Sequence, residues 1–159
     1  KIMKIYCDLD GVLTDFDGRF IELFGKHPKE FINAYGHSSF WASITSRAKE
    51  FWCGIQWKND GKELWQYITP YNPIILSSVP TSMAKIATEC KEQWIKKELG
   101  LNVEYYLTTR KEKQNFSAHD HILIDDMKKN IEEWTQRGGI GILHTSTKQT
   151  INELQKFIQ

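Results

Sequence analysis

The stretch Lys4-Ile5-Tyr6-Cys7-Asp8-Leu9-Asp10-Gly11-Val12-Leu13-Thr14-Asp15-Phe16 constrains this chain of 159 residues more than any other. Its first half is apolar and rich in β-formers, so it reads as a buried strand. Two aspartates follow, two residues apart, where the strand should end. Residues i and i+2 of a strand share a face, so extended backbone would aim Asp8 and Asp10 into one space. Gly11 then lets the chain turn sharply, at positive φ if required. Carboxylates crowded at a strand tip repel one another unless positive charge binds between them. A hard cation with oxygen ligands, such as Mg²⁺, supplies that charge. The bland reading of the same residues is an Asp-Gly turn after an edge strand, and the rest of the chain decides between the two.

Taken in order, a first strand over 2–9 leads into a helix from Thr14. Phe16, Phe20, Leu23 and Phe24 recur there at helical spacing, and Gly25 is its stop. Residues 26–62 do not read as strand. They carry helical stretches broken by Pro28, Gly36 and Gly54, and they are dense in aromatics: Phe31, Tyr35, Phe40, Trp41, Phe51, Trp52 and Trp57. A helix from Asp60 ends before Pro70. A second strand, 74–76, runs into Ser77-Ser78, and Pro80 suits the first turn of the next helix. That helix buries Met83, Ile86, Ala87, Cys90, Trp94, Ile95 and Leu99, while Lys91, Glu92, Lys96 and Lys97 read as its solvated face. Strands follow at 103–107, 121–124 and 140–143. A polar loop at 111–118, with about one helical turn, and helices at 127–137 and 147–158 complete the pattern.

Strands alternating with helices predict an α/β fold with a Rossmann-like parallel sheet of about five strands and helices on both faces. In such sheets the ligand crevice lies beyond the carboxyl ends of the strands. Asp8 and Asp10 fall there after the first strand, Ser77 after the second, and Asp125 and Asp126 after the fourth. This convergence is independent of any family.

Composition narrows the partners. The length suits one domain with a small insert. Net charge is +1 and no long basic run is present, which argues against a nucleic-acid polymer and leaves a mononucleotide open. No stretch is long enough to span a membrane, and the first residues lack a signal-peptide profile. Cys7, Cys53 and Cys90 are odd in number, scattered and without metal-type spacing. They read as small buried residues of a reducing compartment, so the expected location is cytoplasmic. Among the histidines only His119 and His121 share a spacing, and at a strand entrance that pair reads as surface.

Asp8-Leu9-Asp10-Gly11-Val12-Leu13-Thr14-Asp15-Phe16 resembles the first motif of the haloacid dehalogenase superfamily of phosphohydrolases. Its Val-Leu-x-Asp-Phe tail is most similar to the 5'(3')-deoxyribonucleotidase branch. Ser77, ending an apolar strand, matches the superfamily's second motif. Lys113-Gln114-Asn115-Phe116-Ser117-Ala118, followed by Ile124-Asp125-Asp126, is similar to the branch's lysine and paired aspartates, with a two-residue insertion at 119–121. Lys91, Trp94, Leu99 and Gly100 echo one of its helices. The resemblance covers 2–16 and 73–145, and reaches the insert only through position and aromatic content.

The resemblance implies an α/β phosphohydrolase core at 1–15 and 63–159, with 16–62 as a small helical cap that excludes water and selects substrate. Asp8 is then the nucleophile and a metal ligand, and Asp126 the second carboxylate ligand. Asp125 is a further ligand or an acceptor for the metal's waters. Asp10 offers its backbone carbonyl to Mg²⁺, while its side chain protonates the leaving alkoxide and then deprotonates water. Ser77, or Ser78 in its place, donates to a phosphoryl oxygen. Lys113 holds the phosphate, with Arg110 as a supporting contact. Of the cap aromatics, Phe16, Phe40 and Trp41 face the ligand, and the other rings form the cap's own core. The implied partner is a small phosphate ester, a deoxyribonucleoside monophosphate first, with a homodimer left open. Each residue also has a plainer reading: a serine turn, a solvated charged loop, or an N-cap pair at Asp125-Asp126. The rivals are a sugar phosphate, a polynucleotide 3'-phosphate, and a phosphate-accepting receiver domain, which lacks an insert after its first strand.

Overall fold

The structure, a computed structural model, describes residues 2–158. Its strands are β1 (Lys4–Cys7), β2 (Ile74–Ser78), β3 (Tyr105–Thr108), β4 (His121–Asp125) and β5 (Ile140–Leu143). All pair in parallel, in the order β3-β2-β1-β4-β5. β1 is central: Tyr6 lies opposite Ile74 on one side and Leu123 on the other. The chain builds outward from β1 in one direction, then returns to build in the other. The crevice of such a sheet opens at that reversal.

The helices are α1 (Phe16–Phe24), α2 (Pro28–Ser46), α3 (Ala48–Cys53), α4 (Gly61–Ile68), α5 (Ala84–Trp94), α6 (Lys128–Gln136) and α7 (Thr147–Leu154). Because helices cover both sheet faces, the strands are apolar throughout rather than alternating. On one face Ile5, Cys7, Ile75, Ile122 and Ile124 pack with Leu64 and Ile68 of α4 and Leu154 of α7. On the other, Tyr6, Ile74, Leu76 and Leu123 pack with Trp134 of α6. Among the described residues no helix is long and apolar enough to cross a membrane.

α1, α2 and α3 contribute Phe20, Phe40, Ile44, Phe51 and Trp52 to a second cluster, which also includes Met83, Ala87 and Cys90. By contrast, Trp57 packs against the sheet cluster and forms a bridge with Thr14. Asp60, before α4, accepts a hydrogen bond from the Thr147 backbone at 2.8 Å.

Two local expectations shift and a third holds. The helix expected from Thr14 begins at Phe16, because Thr14 is held in bridges to Asp10 and Trp57 and Asp15 caps the helix by accepting from Gly18. Pro28 opens α2 rather than breaking it, since a proline in the first turn forfeits no helical hydrogen bond. Gly36 does break the α2 segment: at φ +89° and ψ 166° its backbone is not helical, and two helical stretches meet there.

The reading of three reduced cysteines is corrected. Cys53 of α3 and Cys90 of α5 form a disulfide, and Cys7 is free and buried. The pair lies 37 residues apart. Nothing in its spacing marked it; the packing of α3 on α5 brings it together. With Cys53 and Cys90 paired, the cysteines no longer point to a reducing compartment.

Candidate active site

Asp8 follows β1 directly, and its backbone donates to the Ile124 carbonyl of β4 at 3.0 Å. The side chain is buried. Its Oδ1 accepts from the Leu9 backbone at 2.9 Å and from Lys113 Nζ at 3.0 Å. Lys113 also donates to Asp125 Oδ2 at 2.8 Å. A short 3₁₀ segment (Lys111–Phe116) delivers this lysine beneath the strand ends, where it is 2% exposed. Asp125, at the end of β4, is wholly buried. Its Oδ1 accepts from the Met127 backbone at 2.8 Å, and its Oδ2 also accepts from Asn130 at 3.0 Å. Both its oxygens are therefore committed.

Gly11 is required twice over. It turns at φ +88°, and a Cβ there would collide with the Asp126 carboxylate. The first motif thus leaves room for the carboxylate of the last one.

Asp10 is held differently. Thr14 Oγ1 donates to its Oδ1 at 2.9 Å, and Lys91 Nζ donates to its Oδ2 at 2.8 Å. Lys91 also donates to Ser77 Oγ at 2.8 Å and to the Ser78 carbonyl at 2.9 Å. Its placement on a solvated helix face is corrected: Lys91 is 5% exposed. The i, i+4 charge pattern of α5 hid it, because helical spacing cannot show which turn of a helix passes over a strand end. Its echo of a family helix was the one available signal.

The expected residues line one cavity of about 480 Å³. The sheet side gives Asp8, Asp10, Ser77, Ser78, Lys113, Asp125 and Asp126, and the helical insert gives Phe16, Phe40, Trp41 and Trp52. Trp52 was assigned to the insert's own core; it serves both, being 5% exposed in the second cluster and part of the cavity wall. Arg110 lines the cavity too, and it also pairs with neighbours on α6. Its guanidinium donates to Glu133 at 3.0 and 3.3 Å and to Asn130 at 2.8 Å.

The electrostatics explain why the site wants a cation. Four carboxylates (Asp8, Asp10, Asp125, Asp126) meet two buried ammoniums (Lys91, Lys113), leaving two formal negative charges. Burial pushes the Asp8 carboxyl well above its ordinary range; Asp125 adds to this and Lys113 opposes it. Burial, then Asp125, pushes Asp126 up to about 6. Asp126 as a whole residue is exposed, but its carboxyl lies inward over Gly11 and feels the cluster. Burial alone would lower Lys113; Asp8 and Asp125 outweigh it and hold the ammonium protonated. Asp8, Asp125 and Asp126 each bring an oxygen within 4.8 Å of the others. An all-oxygen donor set with surplus negative charge fits a hard divalent ion such as Mg²⁺.

By sequence, the chain matches no family model and no curated protein. Solved structures share its fold. A haloacid dehalogenase-like family hydrolase from Streptococcus pneumoniae superposes with a TM-score of 0.59 at 12% identity, over 95% of this chain and 90% of that one. A HAD family hydrolase from Deinococcus radiodurans, solved with bound phosphate and sodium, gives 0.55 at 12% identity, over 91% and 82%. A Thermotoga maritima protein named as a candidate beta-phosphoglucomutase gives 0.54 at 11% identity, over 99% and 100%. The chain has the Rossmann-like fold of the haloacid dehalogenase hydrolases. Likeness at such identities establishes the fold, and the chemistry must be argued from the site.

Proposed function

We propose that this protein is a Mg²⁺-dependent phosphomonoester hydrolase acting through an aspartyl-phosphate on Asp8, with deoxyribonucleoside monophosphates as substrates. One observation carries the chemistry: Asp8, Asp10, Ser77, Lys113 and Asp126 reach a single cavity from three strand ends and a loop. Asp8 Oδ attacks phosphorus and the bond to the leaving oxygen breaks. Asp10, acting as the general acid, gives that oxygen a proton. Asp10 then takes a proton from water, whose oxygen attacks phosphorus and releases phosphate and free Asp8. Lys113 and the Ser77 hydroxyl stabilise the phosphoryl oxygens. Asp8, Asp126 and the Asp10 carbonyl would hold the ion, with Asp125 orienting its surroundings. When bound, Mg²⁺ supplies positive charge against the phosphoryl group.

Residues 16–62 act as the cap. Phe16, Phe40, Trp41 and Trp52 offer faces on which a nucleobase can stack, which supports the nucleotide reading. A sugar phosphate is the second reading, favoured by the likeness to the candidate beta-phosphoglucomutase.

The test is phosphate release from deoxy- and ribonucleoside monophosphates and sugar phosphates, with Mg²⁺ or chelator. Mg²⁺-dependent release preferring deoxynucleotides is expected. A preference for sugar phosphates would replace the nucleotide reading, and turnover unaffected by chelator would remove the metal from the proposal.

A further inference from the structure

Lys91 is the buried charge that the proposed mechanism does not use. It lies on α5, outside the first motif, the loop of Lys113 and the paired aspartates. It is 5% exposed, and its hydrogen bonds go to residues of the cavity wall. Its three donors are all engaged: Asp10 Oδ2 at 2.8 Å, Ser77 Oγ at 2.8 Å and the Ser78 carbonyl at 2.9 Å. An ammonium has three donors and no acceptor, so this is its full complement. Its fourth neighbour is the Trp52 ring, with the centroid 5.4 Å away.

The geometry points to Lys91 as the positioning residue for both the acid/base carboxyl and the phosphate-binding hydroxyl. This inference rests on the phosphatase reading of the site. For Ser77 the reasoning is one of hydrogen-bond parity. Its oxygen is occupied as an acceptor by Lys91, so its own proton is left to donate away from the lysine, towards the cavity that Ser77 lines. For Asp10, Lys91 fixes one oxygen while Thr14 fixes the other, which locks the plane of the carboxyl. The Ser78 carbonyl registers both against the end of β2. Trp52 comes from the insert, so the same ammonium joins β1, β2 and the cavity's aromatic wall.

The test compares an alkyl monophosphate, whose leaving oxygen needs a proton, with an aryl phosphate such as p-nitrophenyl phosphate, whose leaving oxygen does not. In Lys91→Met the kcat/KM of the alkyl ester, which ends at aspartyl-phosphate formation and so excludes the water-activating step that both esters share, should fall about 100-fold or more, the ordinary worth of a positioned general acid. The aryl ester should fall only about 10-fold, from the disordered Ser77 donor. Lys91→Arg keeps the charge, but a planar fork cannot serve three convergent acceptors, so it should show the same bias at smaller size. It carries the test if Lys91→Met does not fold. A crystal structure of the variant should show Asp10 and Ser77 turned from their present positions. Wild-type rates, or equal losses on both esters, would overturn the inference. If the wild-type protein releases phosphate from neither ester, the phosphatase reading fails by itself. The crystal structure then decides, and Asp10 and Ser77 unmoved in the variant would overturn the positioning role.

Discussion

At the carboxyl edge of the sheet, the buried groups are carboxylates, a serine and two lysines, each fixed by named hydrogen bonds of 2.8–3.0 Å. In the insert, the buried groups are Phe20, Phe40, Ile44, Phe51 and Trp52, fixed by packing alone apart from the Trp52 indole, which donates to Met83 sulfur at 3.4 Å. The first region is directional. Moving any partner strands a buried polar group, which costs about 1–3 kcal/mol or more when charged. The second is non-directional. Its stability follows the area removed from water, so neighbouring arrangements lie close in energy. Catalysis needs the first property and a lid over a cavity suits the second. The Cys53–Cys90 disulfide joins the two regions at α3 and α5, one residue from Lys91.

The largest way to sharpen this contrast is Asp8→Asn. An amide is no nucleophile, so phosphate release should fall by about 10⁴ or more. The melting temperature should hold, because neutralising Asp8 relieves its repulsion with Asp125 while Lys113 keeps Asp125 as partner. Activity retained in a folded variant would end the aspartyl-phosphate mechanism.

Next come paired core truncations. Leu76→Ala in the sheet and Phe20→Ala in the insert each empty a fully buried site and should cost about 3–5 kcal/mol. Native-state hydrogen exchange separates them. Leu76→Ala should lower protection everywhere, whereas Phe20→Ala should lower it in α1, α2 and α3 and spare the amides of β1 and β4. Equal loss in β4 would show that the insert is not a separate packing unit.

Removing the staple comes third. The double variant Cys53→Ser/Cys90→Ser frees a loop spanned by 37 residues, and on chain-entropy grounds should cost about 3–4 kcal/mol in denaturant unfolding.

The smallest effect concerns His144, at the end of β5. Its ring is buried, Nδ1 lies 2.6 Å from Thr150 Oγ1, and Nε2 has no partner among the described residues. Burial, then Lys58, lowers it to about 4, with Asp60 opposing. The sign follows from linkage. Between about pH 6.5 and 4 the unfolded chain binds this proton and the folded chain does not, so stability falls as pH falls. The total by pH 4 is about 3 kcal/mol for a buried ring. The raised carboxyls of Asp8 and Asp126 act in the opposite sense in the acid range, so the difference between wild type and His144→Gln isolates the histidine. The variant should lose less stability on acidification, and parallel curves would show that His144 titrates normally.

Much of the sheet edge was legible before any coordinates. Strand ends are marked by short apolar runs that stop at Asp8, Ser77 and Asp125, and the strand–helix alternation places those ends together. Lys113 was legible through its neighbours in sequence. Lys91 was not, because it stands on a regular helix among other charges and only the pass of α5 over β2 buries it. Arg110 lines the cavity as expected, and its ion pair with Glu133 was not visible in the sequence. The insert gave its composition freely and its geometry hardly at all, since aromatic packing has no fixed spacing. Trp52 was therefore taken for core alone when it is also cavity wall.

The sequence by itself determined the class of fold, the strand ends and the acidic pair with its glycine, because these rest on local periodicity and backbone conformation. The tertiary structure decided which cations serve which carboxylates, which cysteines pair and which rings face the cavity. Those are contacts between segments tens of residues apart, and burial is a property of the assembled surface rather than of any window of sequence.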